Sequence, residues 1–239
     1  MYYKSLKPLI ITESEDYIFI NKPPFVSTLA DRNDTVTILS LVKKYNDDYQ
    51  ICHRLDKETS GVLLVAKNPE AYRNASMQFE HRQVEKIYTA IVDGLHQFKE
   101  EEVNLPLHTT ASGYVKISHR QGKNAKTIFN TLETFKKHTL VACKPETGRM
   151  HQIRVHLASL NASITGDETY GGQALYLSSF KKKFVKGKEK EEQALIKRFA
   201  LHAVSISLTD LNGNVISAEA PYPKDIEVEK TIKKKQLVM

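Results

Sequence analysis

The order of local signals along this chain constrains its fold more than any one motif. Tyr17–Lys22 (YIFINK) reads as a strand that Pro23-Pro24 ends. Val62–Lys67 (VLLVAK) is too short for a buried helix and reads as a short buried strand. Val84–Val92 is β-branched and aromatic, hence a strand. Further strands are predicted near Tyr114–Ser118, Thr127–Phe135, Thr139–Lys144, Ala200–Leu208 and Val215–Ala218. Helical patterns are occasional. Asp34 is placed to N-cap a helix over Thr35–Asn46, where Ile38, Leu41, Val42 and Tyr45 recur at helical spacing. Asn68 and Pro69 open a second helix running to about Arg82, and a third covers Met150–Leu160. Strands in runs, without regular βαβ alternation, predict an α+β architecture with a largely antiparallel sheet. No repeat or low-complexity linker divides the chain.

The 239 residues suit one generous domain or two small ones sharing a cleft. Cys52 and Cys143 are too few for a disulfide framework, and no CxxC is present, which fits a reducing compartment such as the cytoplasm. No apolar run reaches membrane-spanning length, and the N-terminus lacks the pattern of a signal peptide. The net charge of +7 favours an anionic partner. That charge is uneven: residues 181–198 hold eight Lys/Arg against three Glu, Lys116–Lys126 reads KISHRQGKNAK with a turn at Gln121-Gly122, and the C-terminus ends TIKKKQLVM. Each cluster alone reads as a solvated loop or tail; three of one sign favour a polyanion-facing surface.

Three stretches could carry chemistry. His53-Arg54-Leu55-Asp56-Lys57-Glu58-Thr59-Ser60-Gly61 is a polar loop set against a buried strand. It reads either as a surface loop with an ST-turn or as a display of functional groups at a strand end. Met150, Ile153, Leu157 and Leu160 form an apolar stripe on the third helix. Arg154 lies about 60° from Leu157 on the helical wheel, at the margin of the buried face. It either snorkels to solvent or meets an anion, for which a carboxylate such as Asp56 would serve. Lys86 and Tyr88 share one face of the 84–92 strand, as a half-buried strand pair or as a platform for a flat anionic ligand.

Other chemistries lose support. His151 and His156 are five apart, so they diverge on a helix and do not match zincin-type ligation. The chain has no P-loop, no GxGxxG after a strand and no GxSxG elbow.

Together these stretches resemble the RluA-type family of RNA pseudouridine synthases. HRLDKETSGVLLVAKN (53–68) is similar to the family's signature loop and strand, EKIYTAIVDG (85–94) to its second motif, and TGRMHQIRVHLASLNASITGDETYGG (147–172) to its third. YIFINKPP (17–24) resembles its opening strand, and ALHAVSISL with LNGNVISAEAP (200–208, 211–221) its closing segment. The resemblance implies a pseudouridine synthase fold, with a mixed, largely antiparallel central sheet flanked by helices and an active-site cleft across the sheet. It implies isomerisation of uridine to pseudouridine in ribosomal or transfer RNA, with no cofactor and no metal. Asp56 matches the catalytic aspartate, and Tyr88 the tyrosine that stacks on the uracil. Arg154 matches a cation beside the aspartate, where it would help that carboxylate keep its charge under a base. Arg54 would hold the gap left by a flipped base or grip a phosphate. His53, Lys86, Arg149, His151 and Gln152 would bind substrate or fix turns, and Thr59-Ser60-Gly61 would aim Asp56.

The resemblance also sets expectations for organisation. One catalytic domain is expected over residues 1–239, with a core of about 13–223 and a basic tail at 224–239. No additional N-terminal RNA-binding domain, no membrane association and a monomer are expected. Lys22-Pro23-Pro24-Phe25 lacks the glycine that often follows KP and one residue, and Met150 stands where a small hydroxyl residue is usual. A non-catalytic RNA chaperone of the same fold is the alternative, which intact Asp56, Tyr88 and Arg154 disfavour. A metal-dependent hydrolase using His53, His151 and His156 is a more distant one.

Overall fold

A strand with no exposed face needs packing on both sides, and Ser60–Ala66 is such a strand: all seven residues are buried. The computed structural model describes residues 3–30, 34–179 and 192–227. Most of the basic 181–198 stretch and of the C-terminal tail therefore lies outside the described residues. In chain order the elements are β1 (Ile10–Glu13), β2 (Tyr17–Lys22), α1 (Ile38–Tyr45), β3 (Gln50–Ile51), β4 (Ser60–Ala66), α2 (Pro69–Glu80) and β5 (Glu85–Asp93). They continue with β6 (Glu101–Asn104), β7 (Leu107–Thr109), β8 (Val115–Ile117), β9 (Lys126–Thr134) and β10 (His138–Pro145). α3 (Gln152–Ser159), β11 (Leu201–Thr209) and β12 (Val215–Glu219) complete the set. This is the expected α+β class, mostly antiparallel. Among the described residues no helix is long and apolar enough to cross a membrane.

The described residues form two compact units, one within 1–88 and 202–221, the other within 89–201 and 222–239. In the first, β2 runs antiparallel to β1 and to β4, and β3 pairs with the far end of β4. The β11–β12 hairpin joins through a short parallel register, His202 opposite Ser60 and Ala203 opposite Gly61. The alternation of β4 sends Val62, Leu64 and Ala66 into one apolar cluster, with Ala71 and Ala75 of α2, and Leu63 and Val65 into another, with Ile38, Leu41 and Val42 of α1. In the second unit β9 pairs antiparallel with β10 and with β6, and β7 with β8. Val155 and Met150 pack there against Val115, Ala125 and Tyr170.

Two helix starts differ from expectation. α1 begins after Thr37, not Asp34: Thr37 and Ser40 form a reciprocal capping box. Asp34 instead accepts from the Ser27 hydroxyl and pairs with Lys57 at 2.6 Å. α3 begins at Gln152, because His151 is left-handed at φ 52° and cannot extend the helix backwards. The second helix keeps the predicted cap, with the Asn68 side chain accepting from the Ala71 N–H.

Candidate active site

The Asp56 loop is held from beneath. Leu55 is buried, and its N–H and C=O both bond the Thr28 hydroxyl, at 3.1 and 2.7 Å. The Thr59 N–H then donates to the Asp56 carbonyl, closing a tight turn over residues 56–59. The ammonium of Lys22, wholly buried, donates to the carbonyls of Pro23, Val26 and Lys57 at 2.8–3.0 Å. It thereby ties the loop after β2 to the Asp56 turn. Phe25, in that loop, sits at φ 64°, the left-handed region where glycine is most at ease. Beyond the turn, Gly61 has φ 118°, and a Cβ there would lie 2.0 Å from the Ala203 carbonyl oxygen. Ser60 Oγ lies 2.9 Å from His202 Nδ1. Thr59-Ser60-Gly61 thus locks the turn onto β4 and β11. Asp56 is half-buried and Arg54 exposed.

His53 closes the other end of the loop. The Cys52 N–H donates to the Leu64 carbonyl, and the Leu64 N–H donates to His53 Nε2 at 3.1 Å. An imidazole thus replaces the next backbone acceptor where the β3–β4 ladder ends. Burial, with the Lys86 charge nearby, pushes the His53 pKa down to about 3, so the ring is neutral and its proton sits on Nδ1. The His53 ring packs on Phe79 with centroids 5.0 Å apart, and the Lys86 ammonium lies 5.9 Å from the Phe79 centroid. Burial pulls the Lys86 pKa down to about 8. Tyr88, two residues on along β5, packs on the cluster that contains Leu55. One unit therefore carries Asp56, Tyr88, Lys86, His53 and Arg54.

The second unit carries Arg154, buried to 6% exposure, so the snorkelling alternative does not hold. Its Nε and Nη2 donate to the two oxygens of Asp167 at 2.6 and 2.7 Å. Asp56 is the anion expected there from the sequence; the carboxylate that Arg154 grips in this bidentate pair is Asp167, thirteen residues on. Gln152 is saturated: its Oε1 accepts from the Thr147 hydroxyl and the Arg149 N–H, and its Nε2 donates to the Lys126 carbonyl and the Thr127 hydroxyl. It fixes the turn that starts α3. Arg149 is exposed and donates to the Asn124 carbonyl, and His151 Nδ1 lies 2.9 Å from the Tyr170 hydroxyl. His156 is buried between the Thr127 hydroxyl and the Leu105 carbonyl. Among the described residues no group of three or more His, Cys, Asp or Glu could hold a metal ion. Lys22, Thr28 and Asp167 had no role in the sequence reading. Asp167 left the clearest trace, a carboxylate between glycines in the same motif as an arginine that needed an anion.

Comparison with known proteins defines the class. Residues 16–159 match the RNA pseudouridylate synthase family. A Zymomonas mobilis protein named an uncharacterized RNA pseudouridine synthase is 35% identical over 226 residues, 91% of this chain and 94% of that one. Ribosomal large subunit pseudouridine synthase D of Vibrio cholerae is 34% identical over 236 residues, 93% of this chain and 69% of that one. The structure of human RNA pseudouridylate synthase domain containing 4 superposes with a TM-score of 0.75 at 24% identity, over 96% of this chain and 94% of that one. The chain belongs to the RNA pseudouridylate synthase family, and within it to the RluA type. It is an isomerase that makes pseudouridine in RNA.

Proposed function

We propose that the chain isomerises a defined uridine of ribosomal or transfer RNA, with Asp56 as the catalytic carboxylate. The bond from ribose to uracil N1 breaks, the base turns, and ribose rejoins at C5; N1 gains a proton and the C5 proton leaves to water. A stacked uridine is out of reach, so the nucleotide is flipped out at a cost of a few kcal/mol. Asp56 acts at the ribose–uracil linkage, Tyr88 stacks on the uracil, and Arg154 supplies a fixed guanidinium. Arg54 and Arg149, both exposed, take phosphates or the gap in the RNA. Lys86 grips the RNA beside Tyr88. His53, His151 and Gln152 keep these groups in place. Vibrio and Neisseria relatives named ribosomal large subunit pseudouridine synthases make ribosomal RNA the first substrate to test.

The observation that carries this reading is the Asp56 turn, held by Thr28, Lys22 and Gly61 at the end of a fully buried strand. RNA tritiated at uridine C5 releases tritium to water under the wild-type protein. Asp56→Asn abolishes release while RNA affinity stays within a few-fold. Turnover persisting in that variant overturns the assignment of Asp56. Cellular rescue by Asp56→Asn equal to wild type would favour the chaperone reading.

A further inference from the structure

Arg154 is the end point of a construction centred on Asp167. The carboxylate meets the guanidinium through two parallel bonds, and the side chains are 7% and 1% exposed. Two aromatic rings lie against the same guanidinium, with Cζ 4.9 Å from the centroid of Tyr170 and 4.2 Å from that of Phe199. Tyr170 is itself fixed, its hydroxyl accepting from the Val115 N–H at 3.2 Å and lying 2.9 Å from His151 Nδ1.

The backbone around Asp167 is equally constrained. Gly166 has φ 82°, and a Cβ there would lie 2.3 Å from the Arg198 carbonyl oxygen. A Cβ on Gly172 would lie 1.9 Å from the Ile164 carbonyl oxygen and 2.8 Å from the Asp167 nitrogen. The N–H groups of Tyr170 and Gly172 both donate to the Asp167 carbonyl, at 3.1 and 2.8 Å. The glycines of Gly-Asp-Glu-Thr-Tyr-Gly-Gly thus permit the close approaches that seat one carboxylate.

Stability alone does not account for this arrangement, because apolar side chains of similar volume often replace a buried ion pair without loss. What a bidentate, ring-packed clamp supplies is direction. A lone buried arginine could point its N–H groups several ways; one held along its Nε–Nη2 edge has its plane fixed. The pair is also neutral overall, so the arginine acts through aimed N–H groups and not as a mobile net charge.

We infer that Asp167 is a positioning residue for the reaction, acting through Arg154, with Tyr170 and Phe199 completing the clamp. The inference rests on Arg154 being catalytic, and the test separates the two. Single-turnover rate and RNA affinity are measured for Asp167→Asn, Arg154→Lys and the double variant. Asp167→Asn slows the step by about 30-fold or more with affinity within about threefold, a loss realised in the transition state and not in binding. The double variant is no slower than the slower single one, since both changes remove one interaction. Rate losses that multiply overturn the role of Asp167. A wild-type rate in Arg154→Lys overturns the reading of Arg154 instead. If Asp167→Asn does not fold, Asp167→Glu keeps the charge but shifts the carboxylate by one methylene. It is expected to slow the step by about tenfold at unchanged affinity, because such misplacement costs rate; a wild-type rate there also overturns the proposal.

Discussion

The Thr28 hydroxyl closes a two-bond ring on the backbone of Leu55, accepting from its N–H at 3.1 Å and donating to its C=O at 2.7 Å. Leu55 precedes Asp56, so one side chain 27 residues upstream fixes where the aspartate turn begins. Thr28→Val keeps the shape and leaves two buried backbone groups unpaired, which costs about 2–3 kcal/mol. Chemical denaturation should show that loss, and pseudouridine formation should slow beyond what the unfolded fraction explains. Thr28→Ser retains the hydroxyl and should stay near wild type in both. Equal stability of Thr28→Val and wild type would remove Thr28 from this role.

Gly61 is where a methyl group has no room. Its φ of 118° is unfavourable for any L side chain, and a Cβ would meet the Ala203 carbonyl oxygen at 2.0 Å. The contact is backbone, so no rotamer change relieves it. Gly61→Ala must separate β4 from β11 at the Ala203–Gly61 register. A loss above about 3 kcal/mol is expected, combining strain with broken packing. A urea midpoint close to wild type would overturn the close approach of Gly61 to the Ala203 carbonyl.

Most of this architecture was legible because strands and helices announce themselves locally. YIFINK, VLLVAK and the Asn68-Pro69 start carry their own period or cap, and they fold where the sequence placed them. What was not legible depends on residues far apart. Asp34 is a good cap by type, but Lys57 and Ser27 claim its carboxylate, and Thr37 with Ser40 caps the helix. β3, β6 and β7 are only two to four residues long, too short for a periodic signal. The apolar stripe marks only one side of α3, yet six of its eight residues are buried, Arg154 and His156 among them. Polar residues can line a buried helix when each has a partner, and hydrophobicity alone does not foresee those partners. Phe25 stands where the resemblance expects a glycine, and it takes the left-handed conformation, at φ 64°, that glycine adopts most easily.

His53 makes the fold acid-sensitive. Its ring titrates near the ordinary 6.5 when unfolded and is held down to about 3 when folded. Between those values the unfolded chain binds the extra proton, so the His53 contribution is full above pH 6.5 and is lost as pH falls toward 3. Protonation would also end acceptance from the Leu64 N–H. His53→Gln should therefore be less stable at pH 7 by about 1–2 kcal/mol, for want of a well-placed acceptor. The gap to wild type should narrow as pH is lowered from 6.5. Stability curves that stay parallel across that window would contradict the neutral imidazole.

For Lys86 the proposed contact with RNA and the folding equilibrium predict opposite pH trends. Burial lowers its pKa from 10.5 to about 8, so the folded chain releases this proton while the unfolded chain still holds it. Between pH 8 and 10.5 the unfolded state binds more protons, and the Lys86 contribution to stability rises with pH. If its ammonium grips RNA beside Tyr88, affinity runs the other way and falls as pH rises through about 8. Bound anion resists the loss of the proton, so the midpoint should shift upward when RNA is present. Lys86→Arg keeps the charge throughout and should flatten the affinity profile. Lys86→Met should flatten it too, at an affinity near that of wild type at high pH. Each phosphate contact contributes a slope of about 0.7 in log affinity against log salt for single strands, so Lys86→Met should lower that slope by about 0.7 at pH 7. A pH profile and salt slope unchanged in Lys86→Met would leave Lys86 as a packing residue over Phe79 and nothing more.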